Sequence, residues 1–173
     1  ARFDGPLEWS SHSLGNRTVL CAPGDPMIAA RAHRGLGRPA YAPLVTLLRS
    51  EDVPRYLEHP EPLADALPLA RVGATPTNAL RDSVPAALRH DGSVLPLAIS
   101  ADVSPALHTL LGAIDDACGA PALLATDLRM EGQPLPATPA QALKAFVASR
   151  LDLMWIGPFL VAHPDPAPVV TMP

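Results

Sequence analysis

Residues 94–119 read VLPLAISADVSPALHTLLGAIDDACG. The apolar run at residues 94–99 predicts a strand. Ser104 can cap the free amides of a helix that starts at Pro105, where the N–H that proline lacks would be unpaired anyway. Apolar spacing continues this helix to Cys118, and Gly119 suits its end. A strand that leads through a short polar loop into a helix is the repeating unit of an α/β domain.

A short polar residue followed by proline precedes three more helical patterns. These are Asp25-Pro26, Thr75-Pro76 and Thr138-Pro139, and the last has the spacing of a capping box. Strand-like runs alternate with the predicted helices at residues 18–22, 41–48, 67–72, 122–130 and 151–161. This alternation predicts a single α/β domain with a mixed or mainly parallel sheet flanked by helices. An α+β arrangement is the alternative, because proline interrupts several of the apolar runs.

The two ends of the chain predict less regular structure. Gly15-Asn16-Arg17 separates residues 8–14 from residues 18–22, a pattern typical of an N-terminal β-hairpin. Residues 163–173 are rich in proline and predict an extended tail, which leaves residues 1–162 as the globular domain. The two cysteines, Cys21 and Cys118, permit one disulfide or two buried thiols.

Composition limits the classes of partner. With 173 residues, of which 48% are hydrophobic, the chain can build its own core. Its net charge is −4, and Lys144 is the single lysine beside 12 arginines that form no cluster, so we expect no nucleic-acid partner. The longest apolar run, residues 153–162, is ten residues long and too short to span a bilayer, so we expect no membrane partner. No signal peptide is visible, which favours a soluble, cytoplasmic protein.

Loops that lead into helices form the predicted ligand site. In open α/β sheets, ligands bind outside the carboxyl ends of the strands, and a helix N-terminus attracts anions. The predicted site, for a small anionic molecule, comprises Gly24, Gly73, Thr75, Ser100, Ser104 and, at the end of its predicted strand, Arg71. The alternative is purely structural, because helix caps require the same residue types. The carboxylates of Asp25 and Asp102 also weaken this site, since they would repel an anion.

Three residues are candidates for catalysis. Cys21 is the candidate nucleophile, since a thiolate is favoured shortly before a helix start. In an enzyme, Asp25 or Asp102 would serve as a general base or metal ligand. The six histidines lack the spacing typical of zinc sites, so no metal site is predicted. The chain also lacks the GxSxG, P-loop, HExxH and GxGxxG motifs, and no cofactor is indicated.

The sequence favours a non-catalytic α/β domain that binds a small anionic ligand or a partner protein. A small enzyme acting on an anionic metabolite is the first alternative. The second is a protein–protein interaction module that uses the proline-rich tail and an aromatic surface. Trp155 and Phe159 are four residues apart in the last predicted strand, which would place them on one face. No motif is specific enough to name a family.

Overall fold

The computed structural model describes residues 1–7, 15–39, 41–42, 44–69 and 72–166. Within these residues, seven strands form one mixed sheet in the order β4-β3-β5-β2-β1-β6-β7. The strands are β1 (Arg2–Phe3), β2 (Arg17–Cys21), β3 (Val45–Arg49), β4 (Pro96–Ile99), β5 (Leu123–Asp127), β6 (Leu153–Ile156) and β7 (Phe159–Ala162). The helices are α1 (Pro26–Gly35), α2 (Val53–Tyr56), α3 (Asn78–Ser83), α4 (Pro105–Cys118) and α5 (Pro139–Ser149). The predicted α/β class is confirmed.

The sheet contains both parallel and antiparallel strand pairs. β3 pairs with β4, and β1 pairs with β6, in the parallel sense. β1 with β2, β3 with β5, and β6 with β7 are antiparallel. The sheet is therefore mixed, because only some of its neighbouring strands are joined by helical crossovers.

The chain contacts group into two compact units, the first formed by residues 1–21, 27–42 and 126–173. Its core contains Phe146, Leu36, Leu128 and Met154, all essentially inaccessible to solvent. The ends of α1 and α5 approach each other closely in this unit. A Cβ atom added at Gly35 would lie 2.3 Å from the carbonyl oxygen of Ser149, so only glycine fits this contact.

The second unit comprises residues 22–26 and 43–125. α4 presents Leu107 and Leu111 to its core, as the apolar spacing predicts, whereas Cys118 at the end of the same helix is exposed. Both cysteines are free thiols, and only Cys21 is buried. Leucine, valine and alanine dominate the buried residues of both units, in line with the low aromatic content.

Three of the four predicted helix starts are confirmed, since helices begin at Pro26, Pro105 and Pro139. Thr138 forms the predicted capping box with Gln141. The start at Thr75-Pro76 is wrong, because α3 begins two residues later, at Asn78. Pro76 instead forms an isolated bridge with Leu57, and the Thr75 carbonyl accepts a hydrogen bond from the amide of Glu58 at 2.9 Å. Those pairings keep this segment extended.

Two predicted strands need correction. Residues 67–69 of the predicted strand 67–72 form a short 3₁₀ turn, and residues 70–71 lie outside the described residues. The predicted strand 151–161 is two strands, β6 and β7, joined by a turn in which Gly157 has a φ of +55°. The turn also places Trp155 and Phe159 on opposite faces, because Trp155 pairs with Leu160 and Phe159 pairs with Ile156.

The N-terminal strands are antiparallel, as predicted, although the partner of β2 is β1. The predicted first arm of the hairpin, residues 8–14, lies outside the described residues. So do residues 167–173 of the predicted tail, and the domain boundary at residue 162 stays a prediction. His163, just beyond that boundary, is buried against the ring of Phe146 at a centroid distance of 5.4 Å.

Candidate functional site

Ser100, Asp102 and Ser104 lie together in the turn that leads from β4 to α4. The amide of Ser104 donates to the carbonyl of Ser100 at 3.0 Å, and the amide of Val103 donates to the Ser100 hydroxyl at 3.3 Å. The side chain of Ser104 makes no capping hydrogen bond with α4. Asp102 is exposed. Ser100 therefore closes its own turn, and the turn follows the carboxyl end of β4, as predicted.

Arg49 is the charged residue that the sequence prediction missed beside this turn. It ends β3 and pairs in register with Ile99, which immediately precedes Ser100. Its guanidinium, however, contacts Asp52 at 2.6 Å and Asp115 at 3.3 Å. The hydrogen bond to Asp52 raises the pKa of Arg49 above its usual value. Because two carboxylates already neutralise this guanidinium, it offers little attraction to an anion.

Gly73 lies at the opposite end of β4 from Ser100. A Cβ atom at Gly73 would lie 3.0 Å from the guanidinium of Arg89 and 3.3 Å from the hydroxyl of Ser93, so the chain itself fills the space above it. Ser93 precedes Ser100 by seven residues of mostly extended chain, a separation of roughly 20 Å. Gly73 and Ser100 cannot contact one small ligand at that distance.

The remaining predicted ligand-binding residues are dispersed. Thr75 is exposed, in the extended segment before α3, and Arg71 lies outside the described residues. Gly24 is also exposed, and Asp25 is half-buried just before α1. The carbonyl of Pro23, the residue before Gly24, accepts a hydrogen bond from the amide of Ala86 at 3.3 Å.

Cys21 lies at the end of β2 and is buried. Burial raises the pKa of its thiol from 9.0 to about 11, and the nearby amino terminus and Arg31 offset only part of this effect. The thiol therefore stays protonated at neutral pH, which disfavours the predicted role as a nucleophile.

A cavity of about 530 Å³ lies in the first unit, between the loop that follows β5 and one side of α5. Its size falls within the range of roughly 300–1,000 Å³ that is typical of small-molecule sites. The loop contributes Met130, Glu131, Gln133, Pro134 and Pro136, and the helix contributes Gln141, Lys144, Ala145 and Ala148. The lining thus combines apolar surface with a few polar groups at its rim.

Lys144 brings the single lysine of the chain into this cavity. No carboxylate of the described residues lies within salt-bridge distance of its ammonium group. Gln141 uses its side-chain oxygen to accept hydrogen bonds from the amides of Ala137 at 2.8 Å and Thr138 at 3.2 Å. Its amide Nε2 has no intramolecular acceptor in the part of the chain that the structure describes. Two residues that line the cavity, Lys144 and Gln141, therefore carry donors that have no acceptor among the described residues.

A buried arginine holds both ends of the cavity-lining loop. Arg17 is 3% exposed, and its Nε donates to the carbonyl of Pro136 at 3.1 Å. Its own carbonyl accepts the amide of Leu128 at 2.7 Å. The guanidinium also donates to the carbonyl of Gly5 at 3.1 Å and lies 3.8 Å from the centre of the Phe3 ring. These bonds fix the loop geometry before any ligand arrives.

Arg38 supports the start of the same loop. Its guanidinium donates to the hydroxyl of Thr126 at 2.5 Å and to the carbonyl of Arg129 at 3.0 Å, and it forms a largely buried ion pair with Asp127. The amide of Glu131 donates to the carbonyl of Leu36 at 2.9 Å. The end of β5 is thereby attached to the segment that follows α1.

The polar side chains that line this cavity are those of Glu131, Gln133, Gln141 and Lys144. The cavity lacks a cysteine or serine nucleophile, and Glu131 is the single carboxylate among its lining residues. Nowhere in the described residues do three histidine, cysteine or acidic side chains converge as a metal site would require. No helix in the described residues has the length and hydrophobicity needed to cross a membrane. Lys144 and the two glutamines instead suit recognition of a small polar or anionic group.

Comparison with known proteins identifies a family. A family model described as the carbamoyltransferase C-terminus matches residues 1–163. The chain belongs to this family. No short motif reveals this family, because the match depends on similarity that is spread over almost the whole chain.

Three relatives show the context of this carbamoyltransferase C-terminus domain. An uncharacterized protein of Methanocaldococcus jannaschii is 24% identical over 165 residues, which cover 93% of this chain and 26% of that protein. The nodulation protein NolO of Bradyrhizobium diazoefficiens is 25% identical over 158 residues, 91% of this chain and 29% of that protein. The nodulation protein NolNO of Sinorhizobium fredii is 23% identical over 165 residues, with coverages of 95% and 24%. The chain thus spans about a quarter of the length of the curated relatives it matches.

Proposed function

We propose that this chain is the ligand-binding C-terminal part of a longer carbamoyltransferase, and that the cavity beside Lys144 holds a small anion that carries a carbamoyl group. The family match over residues 1–163 and the greater length of the relatives support the first half of this proposal. The cavity geometry supports the second half. This function deepens the sequence prediction of an anion-binding domain and moves its site to the loop after β5.

One observation carries the proposal: Lys144, an exposed residue, lines the cavity, and no carboxylate of the described residues pairs with it. A carbamoyl group offers a carbonyl acceptor and an NH₂ donor. Lys144 and Gln141 supply donors for the carbonyl and the anionic end, and Glu131 supplies an acceptor for the NH₂ group. Ala145 and Pro136, which are buried, supply apolar surface beside these groups.

Carbamoyl phosphate is a suitable probe, because it joins a carbamoyl group to an anion. We expect it to bind the 173-residue chain in calorimetry and to raise the midpoint of thermal unfolding. Lys144→Met should lower its affinity tenfold or more, since a charge-assisted hydrogen bond contributes about 1.5–3 kcal/mol. Glu131→Gln should weaken binding less, because it removes a repulsive charge while keeping a hydrogen-bonding group.

The matched control is Arg34→Gln, which removes one positive charge from an exposed site outside the cavity. It should leave the affinity within about twofold if the effect of Lys144 is local, since exposed charges are screened within about 10 Å. Inorganic phosphate and acetate test which part of the probe is recognised. Equal affinity for phosphate and carbamoyl phosphate, or equal losses in Lys144→Met and Arg34→Gln, would contradict the proposal.

A partner-binding function is the second candidate, and the exposed apolar side chains of β6 and β7 favour it. Ligand binding and partner binding are compatible in a domain that forms only part of a longer protein. The surface involved does not include the residues that line the Lys144 cavity.

A further inference from the structure

The hairpin of β6 and β7 has one face that is apolar and bare. Leu153 pairs with Ala162, and Trp155 pairs with Leu160, so these four side chains share a face. Leu153, Trp155 and Leu160 are 48%, 55% and 66% exposed, and Ala162 is exposed as well. We call these four residues the outer hairpin face. The solvent-facing side of an antiparallel pair ordinarily carries polar side chains, so an exposed apolar face of this kind marks an interaction surface.

The other face of the hairpin attaches it to the first unit. Met154 is fully buried there, and Val161 and Ile156 are half-buried. The hairpin therefore has a fixed position, and the outer hairpin face is a preformed surface rather than the surface of a loose segment. Phe159, at the turn, shares the face of Ile156, and its ring is 67% exposed.

The edge of this hairpin is also open. β7 ends the strand order of the sheet, and no described strand pairs with its free edge. Residues 159–162 read FLVA and carry no charge or proline. Proteins ordinarily protect exposed edge strands with such residues or cover them with another segment. Among the described residues nothing covers this apolar edge, and a further polypeptide segment would fit there.

Residue 1 lies directly beside the outer hairpin face. The amino group of Ala1 donates to the carbonyl of Leu153 at 2.6 Å, and the carbonyl of Ala1 accepts the amide of Trp155 at 2.8 Å. Where residues precede Ala1 in a longer polypeptide, they leave the sheet next to the two β6 residues that carry the bare face.

We propose that the outer hairpin face is the docking surface for the polypeptide that precedes this domain in a longer carbamoyltransferase. The inference rests on the proposed function, because the relatives extend over about four times the length matched here. The occupant is an apolar surface of the amino-terminal part of the same chain. Covalent linkage beside Leu153 gives that part a high effective concentration, so a patch of a few large side chains suffices for stable docking.

Hydrogen exchange of residues 153–162 tests the proposal in two proteins, the 173-residue chain and the longer polypeptide of its own reading frame. We expect the backbone amides of β7 to exchange at least tenfold more slowly in the longer polypeptide, because docking covers the open edge. Leu160→Glu should remove this protection, since it places a charge in the apolar contact. It should leave the stability of the 173-residue chain nearly unchanged, because Leu160 is 66% exposed.

Val103→Glu is the matched control, since Val103 is 85% exposed and lies outside the hairpin. It should leave the protection of β7 intact. Equal exchange in the two proteins would overturn the proposal, and so would a reading frame that begins at Ala1. Light scattering tests a second copy as the occupant: a dimer of the 173-residue chain that Leu160→Glu dissociates would also overturn it. Carbamoyl phosphate binding, measured in the same variants, reports separately on the proposed function.

Discussion

The loops that follow β4 and β5 look alike in sequence and differ in what they offer a ligand. Each leads from an apolar strand to a helix that begins with a hydroxyl residue and proline, Ser104-Pro105 in one and Thr138-Pro139 in the other. After β4, Arg49 contacts two carboxylates. After β5, Lys144 lines a cavity with no carboxylate partner in the described residues.

This difference shows that the number of polar residues in a loop does not determine whether a charged group beside it is available to a ligand. The β4 loop has the more polar sequence, yet its serine closes its own turn. The β5 loop is richer in proline, and its carbonyls are held by Arg17 and Arg38. Because Arg17 and Arg38 hold the backbone of the β5 loop, the side chains that line the cavity are not needed to hold it. Lys144, on α5, is therefore available to a ligand.

The largest expected effect concerns Arg17. Arg17→Met keeps an apolar chain of similar length beside Phe3 but leaves the carbonyls of Pro136 and Gly5 without their donor. The Pro136 carbonyl is a buried acceptor, and such a group without a partner costs about 1–3 kcal/mol. Together with the lost contact between the guanidinium and the Phe3 ring, we expect the free energy of unfolding to fall by about 3 kcal/mol. Urea unfolding measures this loss.

Arg49→Gln is the control for that measurement. Its ion pairs are partly exposed to solvent, and partly exposed pairs contribute about 1 kcal/mol or less. A similar loss for Arg17 and Arg49 would show that the two loops are supported in the same way, and the comparison between them would fail.

The next largest effect is the pH dependence of folding stability that the buried Cys21 thiol causes. Cys21 shares β2 with Arg17, and its pKa is raised to about 11 by burial. Between pH 9 and 11 the unfolded thiol releases its proton while the folded one keeps it, so stability decreases as the pH rises. Two pKa units correspond to a loss of about 2–3 kcal/mol.

The pH dependence is measured by urea unfolding at pH 8, 9, 10 and 11. Cys21→Ala should remove this part of the decrease, whereas Cys118→Ala should retain it because Cys118 is exposed. Rapid reaction of both native thiols with a disulfide reagent at pH 8 would show that Cys21 is accessible. Cys21 would then again be a candidate nucleophile, and the candidate site would lie outside the β5 loop.

The third prediction concerns Gly35 and tests how closely the end of α1 packs against the end of α5. Alanine at this position would place its methyl group 2.3 Å from the carbonyl oxygen of Ser149 at the end of α5. We expect a loss of about 2 kcal/mol, which lies in the range measured for overpacked sites. Gly24→Ala is the control, since no atom lies within 4 Å of its Cβ position, and it should change stability by less than about 0.5 kcal/mol.

Local signals account for the part of this fold that the sequence predicted. The starts at Pro105 and Pro139 and the end at Gly119 depend on residues within one turn of the helix, which a sequence displays directly. Strand 67–72 was wrong because apolar composition alone does not distinguish a strand from a 3₁₀ turn that contains Pro68. The strand predicted at residues 151–161 is interrupted at Gly157-Pro158, and glycine followed by proline is typical of a turn.

The candidate site was harder to predict, because its residues are far apart in the sequence. Arg17, Arg38 and Lys144 are brought to one loop by strand pairing that no local pattern specifies. One signal was available: Lys144 is the single lysine in a chain of 12 arginines. Composition singles out this residue, but only the fold shows that it lines a cavity.

The smallest expected effect compares the two helix starts directly. Thr138→Ala removes a hydroxyl that accepts the amide of Gln141 at 3.3 Å and breaks the capping box, so we expect a loss of about 1 kcal/mol. Ser104→Ala should cost less than about 0.5 kcal/mol, because the Ser104 side chain makes no capping bond. Thr138→Ala should leave carbamoyl phosphate binding nearly unchanged, since the backbone amides of Ala137 and Thr138 that hold the Gln141 side chain remain. Equal losses of stability at the two starts would mean that the capping box adds nothing to an ordinary helix cap. The distinction between the β4 and β5 loops would then depend on Lys144 alone.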